Sequence, residues 1–184
     1  GIYSFSGNRY TLKKDAGFAL VKLGYSSPLR GLSRMVVEHK DGLSLDSLFS
    51  YGQYYNREPE FTDAEWQSLL FAGKAEKADR VAVYLLRTGK TVPYDLMMGY
   101  VDEKIKNREK VAEYQNLIRC AAVSVKGHEN EFIMRLDSSG KEMSLWGIQV
   151  LRETGSVIAI PFLLRNLFDI DVRVSNESYS ALRT

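Results

Sequence analysis

The apolar positions of this chain change rhythm twice. At the start, IYSFSGNRYTLKK sets two aromatic-rich runs on either side of Ser6-Gly7-Asn8. Glycine and asparagine tolerate the positive φ of a tight turn, so this opening predicts a β-hairpin. From about residue 14 to 118 apolar residues recur every three or four positions, the period of a helix packed on one side. Phe18 and Val21 mark a short helix over Asp15–Tyr25, which Ser26-Ser27-Pro28 ends because the residue before proline avoids helical angles. Arg34–His39 reads as a strand or a short helix. Leu45, Leu48 and Phe49 predict an amphipathic helix over Leu43–Tyr51.

The sharpest local signal is FTDAEW. Thr62 is an N-cap, Glu65 three residues later completes a capping box, and Phe61 and Trp66 stand where a hydrophobic staple forms. The helix it opens runs from Asp63 to about Ala72, where Gly73 breaks or bends it. A second pattern covers Lys74–Arg87 through Val81, Tyr84 and Leu85, and Gly89 terminates it. A third follows Pro93 through Met97, Val101 and Ile105. After the polar stretch KNREK the period resumes at Val111, Tyr114, Leu117 and Ile118, as one long helix or as two that meet there.

From Arg119 the pattern reads as alternation. AAVSVKG, NEFIMRL and MSLWGIQVL predict three strands, with residues 131–150 forming a hairpin around Asp137-Ser138-Ser139-Gly140. SVIAI predicts a buried strand, Pro161 suits the first turn of a short helix PFLLRNLF, and DIDVRV alternates as a last strand with Ile170, Val172 and Val174 inward. The expected architecture is therefore α+β in a single domain over 1–184. It has an N-terminal hairpin, a helical part at about 14–118 and a mostly antiparallel sheet at about 119–175, covered by helices on one face.

Composition narrows the class. At 184 residues, 45% hydrophobic and 26% charged, the chain has the make-up of a folded protein. One cysteine, Cys120, allows no internal disulfide, and the longest apolar run, Val157–Leu164, is too short to span a bilayer. These features predict a cytoplasmic or other intracellular protein without a transmembrane segment. A first residue Gly1 in place of methionine points to a processed or excised chain.

Net charge is +2, unevenly spread. Residues 1–40 hold Arg9, Lys13, Lys14, Lys22, Arg30, Arg34 and Lys40 against Asp15 and Glu38. Residues 41–65 hold Asp41, Asp46, Glu58, Glu60, Asp63 and Glu65 against Arg57. Opposite charge in adjacent segments makes either two binding faces or two segments that pack together and neutralise each other.

Candidate chemistry is sparse. RTGKT at 87–91 ends like a phosphate-binding loop, but Tyr84 stands where that loop needs glycine, and a helix leads in where it needs a strand. His39, His128 and Cys120 match no zinc spacing, and Cys120 in RCAAVSV reads as a buried, inert thiol. No nucleophile motif stands out. Nothing in the sequence requires a cofactor or a metal, and no catalytic residue is assigned. Glu58, Glu60, Asp63 and Glu65 could hold a divalent cation, although helix capping already accounts for Asp63 and Glu65.

The expectation is a non-enzymatic binding or assembly module: a structural, matrix-like or adaptor domain acting through protein contacts and a basic N-terminal face. Its partner is another protein or a second copy of itself. Lys13, Lys14, Lys22, Arg30 and Arg34 are the candidates for an anionic partner; Tyr54, Tyr55 and Arg57 are the candidates for protein contact. Two alternatives stand beside it. Tyr10, Phe18 and Tyr25 interleave the basic residues of 9–40, a mixture that can bind RNA or other nucleic acid, or hold an anionic membrane surface. Carboxylates near 58–65 would suit a metal-dependent enzyme.

Overall fold

The computed structural model of the chain describes residues 5–25, 27–41, 44–54, 59 and 61–183. Eleven α-helices run through them, with short 3-10 turns at Val111–Glu113 and Val157–Ala159, and no strand occurs among the described residues. The expected α+β fold is thereby corrected to an all-helical one. The chain divides into two compact units, residues 1–72 and residues 73–184.

The first unit holds α1 (Phe5–Lys22), α2 (Pro28–Glu38), α3 (Leu45–Tyr54) and α4 (Asp63–Leu70). Helix α1 replaces the expected hairpin: the Ser6-Gly7-Asn8 triplet lies inside it. Of the expected helix Asp15–Tyr25, the part up to Lys22 is helical, as the second half of a longer element. Helix α1 lies close against α2, and a Cβ added at Gly17 would come within 2.7 Å of Leu32 Cδ2. Pro28 fills the first turn of α2, where its missing N–H costs nothing. The capping box at Thr62 and Glu65 is formed in full, and the Phe61 and Trp66 ring centroids lie 4.6 Å apart as the staple requires. Both rings pack towards Phe49 of α3, so a local signal also closes a core.

The second unit holds α5 (Ala75–Arg87), α6 (Tyr94–Lys106), α7 (Gln115–Val125), α8 (Glu129–Asp137), α9 (Lys141–Thr154), α10 (Ile160–Asn166) and α11 (Val172–Leu182). KNREK separates two helices. Helix α7 sits between α5 and α9, and α11 packs on α9 and α10. The predicted sheet fails here for a visible reason. Helix α7 is covered on most sides: Leu117, Ile118, Cys120, Ala121, Ala122 and Val125 are buried, and the narrow exposed stripe of Gln115, Arg119 and Val123 ends on an apolar residue while polar Ser124 is buried, which blurs the helical period in the sequence. In α8, Phe132 and Leu136 are buried while Met134 between them is 73% exposed. That is a spacing of four, not the alternation a strand would show. Helix α9 buries Met143, Trp146, Gly147, Val150 and Leu151 in the three-four rhythm, and Ile148 beside them. DIDVRV forms no strand: Asp171 caps α11, and Ile170 and Val172 face solvent.

A candidate protein-contact surface

Charge segregation in the first unit resolves partly into internal pairing. Lys40 takes a left-handed φ of 51°, which ends α2 and turns Asp41 back, with the Asp41 amide donating to Val36 O. Asp41 Oδ2 there accepts from Tyr10 Oη at 2.7 Å, Lys14 Nζ at 3.0 Å and Ser44 Oγ at 2.7 Å. Burial opposes its ionisation, but these donors outweigh it and bring the Asp41 pKa down to about 2. The His39 ring lies over Tyr10 at 3.8 Å. In the first turn of α2, Arg30 makes a fork of two 3.2 Å bonds to the Glu65 carboxylate. Burial again opposes, and the Thr62 amide and Arg30 together hold Glu65 below its ordinary range.

Of the five cations assigned to an anionic partner, Lys14 and Arg30 therefore face carboxylates of their own unit. Lys13, Lys22 and Arg34 are exposed. Lys13 and Lys22 are nine residues apart on α1, two and a half turns at ~3.6 residues per turn, so they point to opposite sides of it. Tyr54, at the end of α3, is 80% exposed. Tyr55, Arg57, Glu58 and Glu60 lie outside the described residues. Among the described residues no group of three or more His, Cys, Asp or Glu gathers as a metal ion would need.

Cys120 is buried in α7, and burial alone pushes its pKa up to about 12, which leaves it a thiol. His128 stacks flat on Tyr94 with ring centroids 4.7 Å apart and pairs with Glu131 at 3.4 Å. Lys104 is 7% exposed, with Glu103 at 3.3 Å, Glu109 at 3.9 Å and the Tyr100 ring beneath it. Glu109 in turn accepts from the Ala75 amide at the start of α5, so this cluster ties α6 to α5. A hollow of about 360 Å³ beside Arg108, Glu113, Glu142 and Arg173 is lined by charges of both signs. Glu142 there pairs with Arg173, and Lys110 with Glu113.

The feature without such an internal account is apolar. Between residues 157 and 172, Val157, Ile158, Ile160, Leu164, Phe168, Ile170 and Val172 are all exposed large hydrophobics. Single exposed apolar residues are ordinary, but seven in sixteen positions are not. Ile160 and Leu164 share a face of α10, and Phe168 continues it one turn on. Phe168 is 88% exposed and Ile170 94%. Their loop is nonetheless held firmly. The Leu167 amide donates to Leu163 O at 3.1 Å and the Leu167 carbonyl accepts from Ser175 Oγ at 2.7 Å. Asp169 Oδ1 takes the Asp171 amide at 2.7 Å, and Asp171 Oδ1 takes the Arg173 amide at 3.0 Å. Arg165 pairs back to Asp137, which anchors α10 to α8.

Near the other end of α10 lies a groove of about 220 Å³, lined by Leu151, Arg152, Val157, Ile160, Leu163 and Leu182 among others. The run Val157–Leu164 is the longest apolar stretch of the sequence; its first part, in SVIAI, read as a buried strand, which the structure replaces with a 3-10 turn, and its second part read as the short helix that α10 is. Only the packing of α10 on α11 decides which side faces in: Phe162 and Leu163 are buried and their neighbours are not. No helix among the described residues is long and apolar enough to cross a membrane. In comparisons with known proteins, no family model, no curated protein and no solved structure matches this chain.

Proposed function

We propose that this chain is a non-enzymatic protein-binding or assembly module that works through the apolar surface of residues 157–172. The observation that carries the reading is the loop at 167–171, which holds Phe168 and Ile170 almost wholly in water on a backbone fixed by its own hydrogen bonds. Leaving such side chains exposed forgoes roughly 1.5–3 kcal/mol each. A partner that covers them recovers this, and a loop already ordered loses little further entropy on binding. Aromatic anchors of this kind carry much of the energy in protein contacts. The exposed cations Lys13, Lys22 and Arg34 and the exposed Tyr54 are subsidiary to it.

The test is site-specific photo-crosslinking of the full chain in extracts of the cells that make it. A photoreactive phenylalanine analogue replaces Phe168, and a second preparation carries it at Leu96, also exposed, as control. The expected outcome is one protein adduct at 168, identified by mass spectrometry, weakened about tenfold by Ile170→Ser and absent at 96. Absence of any protein adduct at 168, or an adduct only to residues 1–72 of the same molecule, overturns the reading.

A further inference from the structure

We infer that the partner at this surface is a second copy of the chain, each copy seating Phe168 and Ile170 in the groove beside α10 of the other. The inference rests on the reading of residues 157–172 as a contact surface and adds its occupant. One unit carries both halves of a contact: a projecting apolar pair and an apolar hollow. Their sizes agree. An apolar cavity of ~150 Å³ admits a benzene ring, and this groove offers about 220 Å³.

Their charges agree as well. Asp169 stands exposed between the two projecting side chains. Arg152 beside the groove pairs with Glu177 of its own unit, but Leu182 in the lining is followed by the exposed Arg183, whose guanidinium lies over the Tyr179 ring at 5.6 Å. Asp169 of one copy thus meets Arg183 of the other when the loop enters the groove. Because loop and groove belong to the same unit, the exchange is reciprocal, and a two-fold arrangement makes the contact twice and closes it as a dimer. Association between the basic 1–40 and acidic 41–65 segments of neighbouring copies has less to draw on, since Lys14–Asp41 and Arg30–Glu65 already join those segments within one copy.

The experiment is light scattering coupled to gel filtration of the purified full chain over a range of concentrations. The wild type is expected as a dimer that persists at high salt. Phe168→Ser with Ile170→Ser removes the projection, and Val157→Arg obstructs the groove; all three positions are exposed, so helical content by circular dichroism stays unchanged. Each variant is expected to self-associate about tenfold or more weakly. Mixing the two variants, labelled for energy transfer, restores one intact contact and hence a mixed dimer. A wild type that stays monomeric at every concentration, or a Phe168→Ser/Ile170→Ser protein that dimerises like wild type, overturns the inference. A monomeric pure chain that still crosslinks at 168 to a different protein overturns it too, while leaving the contact surface itself standing.

Discussion

Asp41 gathers a phenol, an ammonium and a hydroxyl on one carboxylate oxygen, and that choice has a pH signature. Its folded pKa, about 2, lies below the ordinary 3.8. The stability it contributes is complete above the ordinary value and is lost as pH falls through about 2. A shift of this size corresponds to at most about 2 kcal/mol. Urea unfolding of wild type and Asp41→Asn, at neutral pH and at about pH 2, measures it. The wild type is expected to be the more stable at neutral pH, with the gap closing in acid; a gap independent of pH contradicts the assignment. The acidic and basic segments were legible in the sequence, and so was the possibility that they neutralise each other. That Tyr10 and Ser44 join the cluster was not, because nothing local ties position 10 to position 41.

At the scale of elements, Gly147 shows what binary pattern omits. A Cβ there would meet Leu136 Cδ2 at 2.3 Å, so α9 approaches α8 more closely than any side chain but glycine's allows. Gly147→Ala is expected to cost about 1–3 kcal/mol in urea unfolding, as overpacking of a closed core does. A neutral result would mean that Leu136 has room to turn aside. Helix starts divide the same way. Thr62 caps α4 from within its own sequence and was read correctly. Helix α7 has no cap of its own: Asp79 of α5 accepts from the Leu117 amide at 2.9 Å. Helix α5 relies on Glu109 from beyond α6. Caps supplied across tens of residues leave no mark near the helix they serve.

For the whole molecule, the replacement of a sheet by helices carries its own measurement. Far-ultraviolet circular dichroism of the intact chain is expected to show the helical double minimum without a strand component. A substantial β contribution contradicts the fold. Two compact units along the chain also give the charge segregation a simpler meaning, because both charged segments fall in the first unit and the exposed apolar residues of 157–172 in the second. The features that stood out in composition and the feature that carries the proposed contact are thus far apart in sequence.

The sequence by itself determined the local punctuation: the capping box at Thr62, the stop at Gly89, proline in the first turn of α10, and the helical rhythm from α3 to α6. These depend on atoms a few residues apart. Tertiary structure decided the rest. A helix packed between neighbours, as α7 is between α5 and α9, leaves only a narrow exposed stripe, and with apolar Val123 on that stripe and polar Ser124 buried the period that would identify it is blurred. A short apolar run such as Val157–Leu164 does not say which of its residues are covered until α11 is laid against it. Burial belongs to the pair of surfaces, and only one of the two is written in any local stretch of chain.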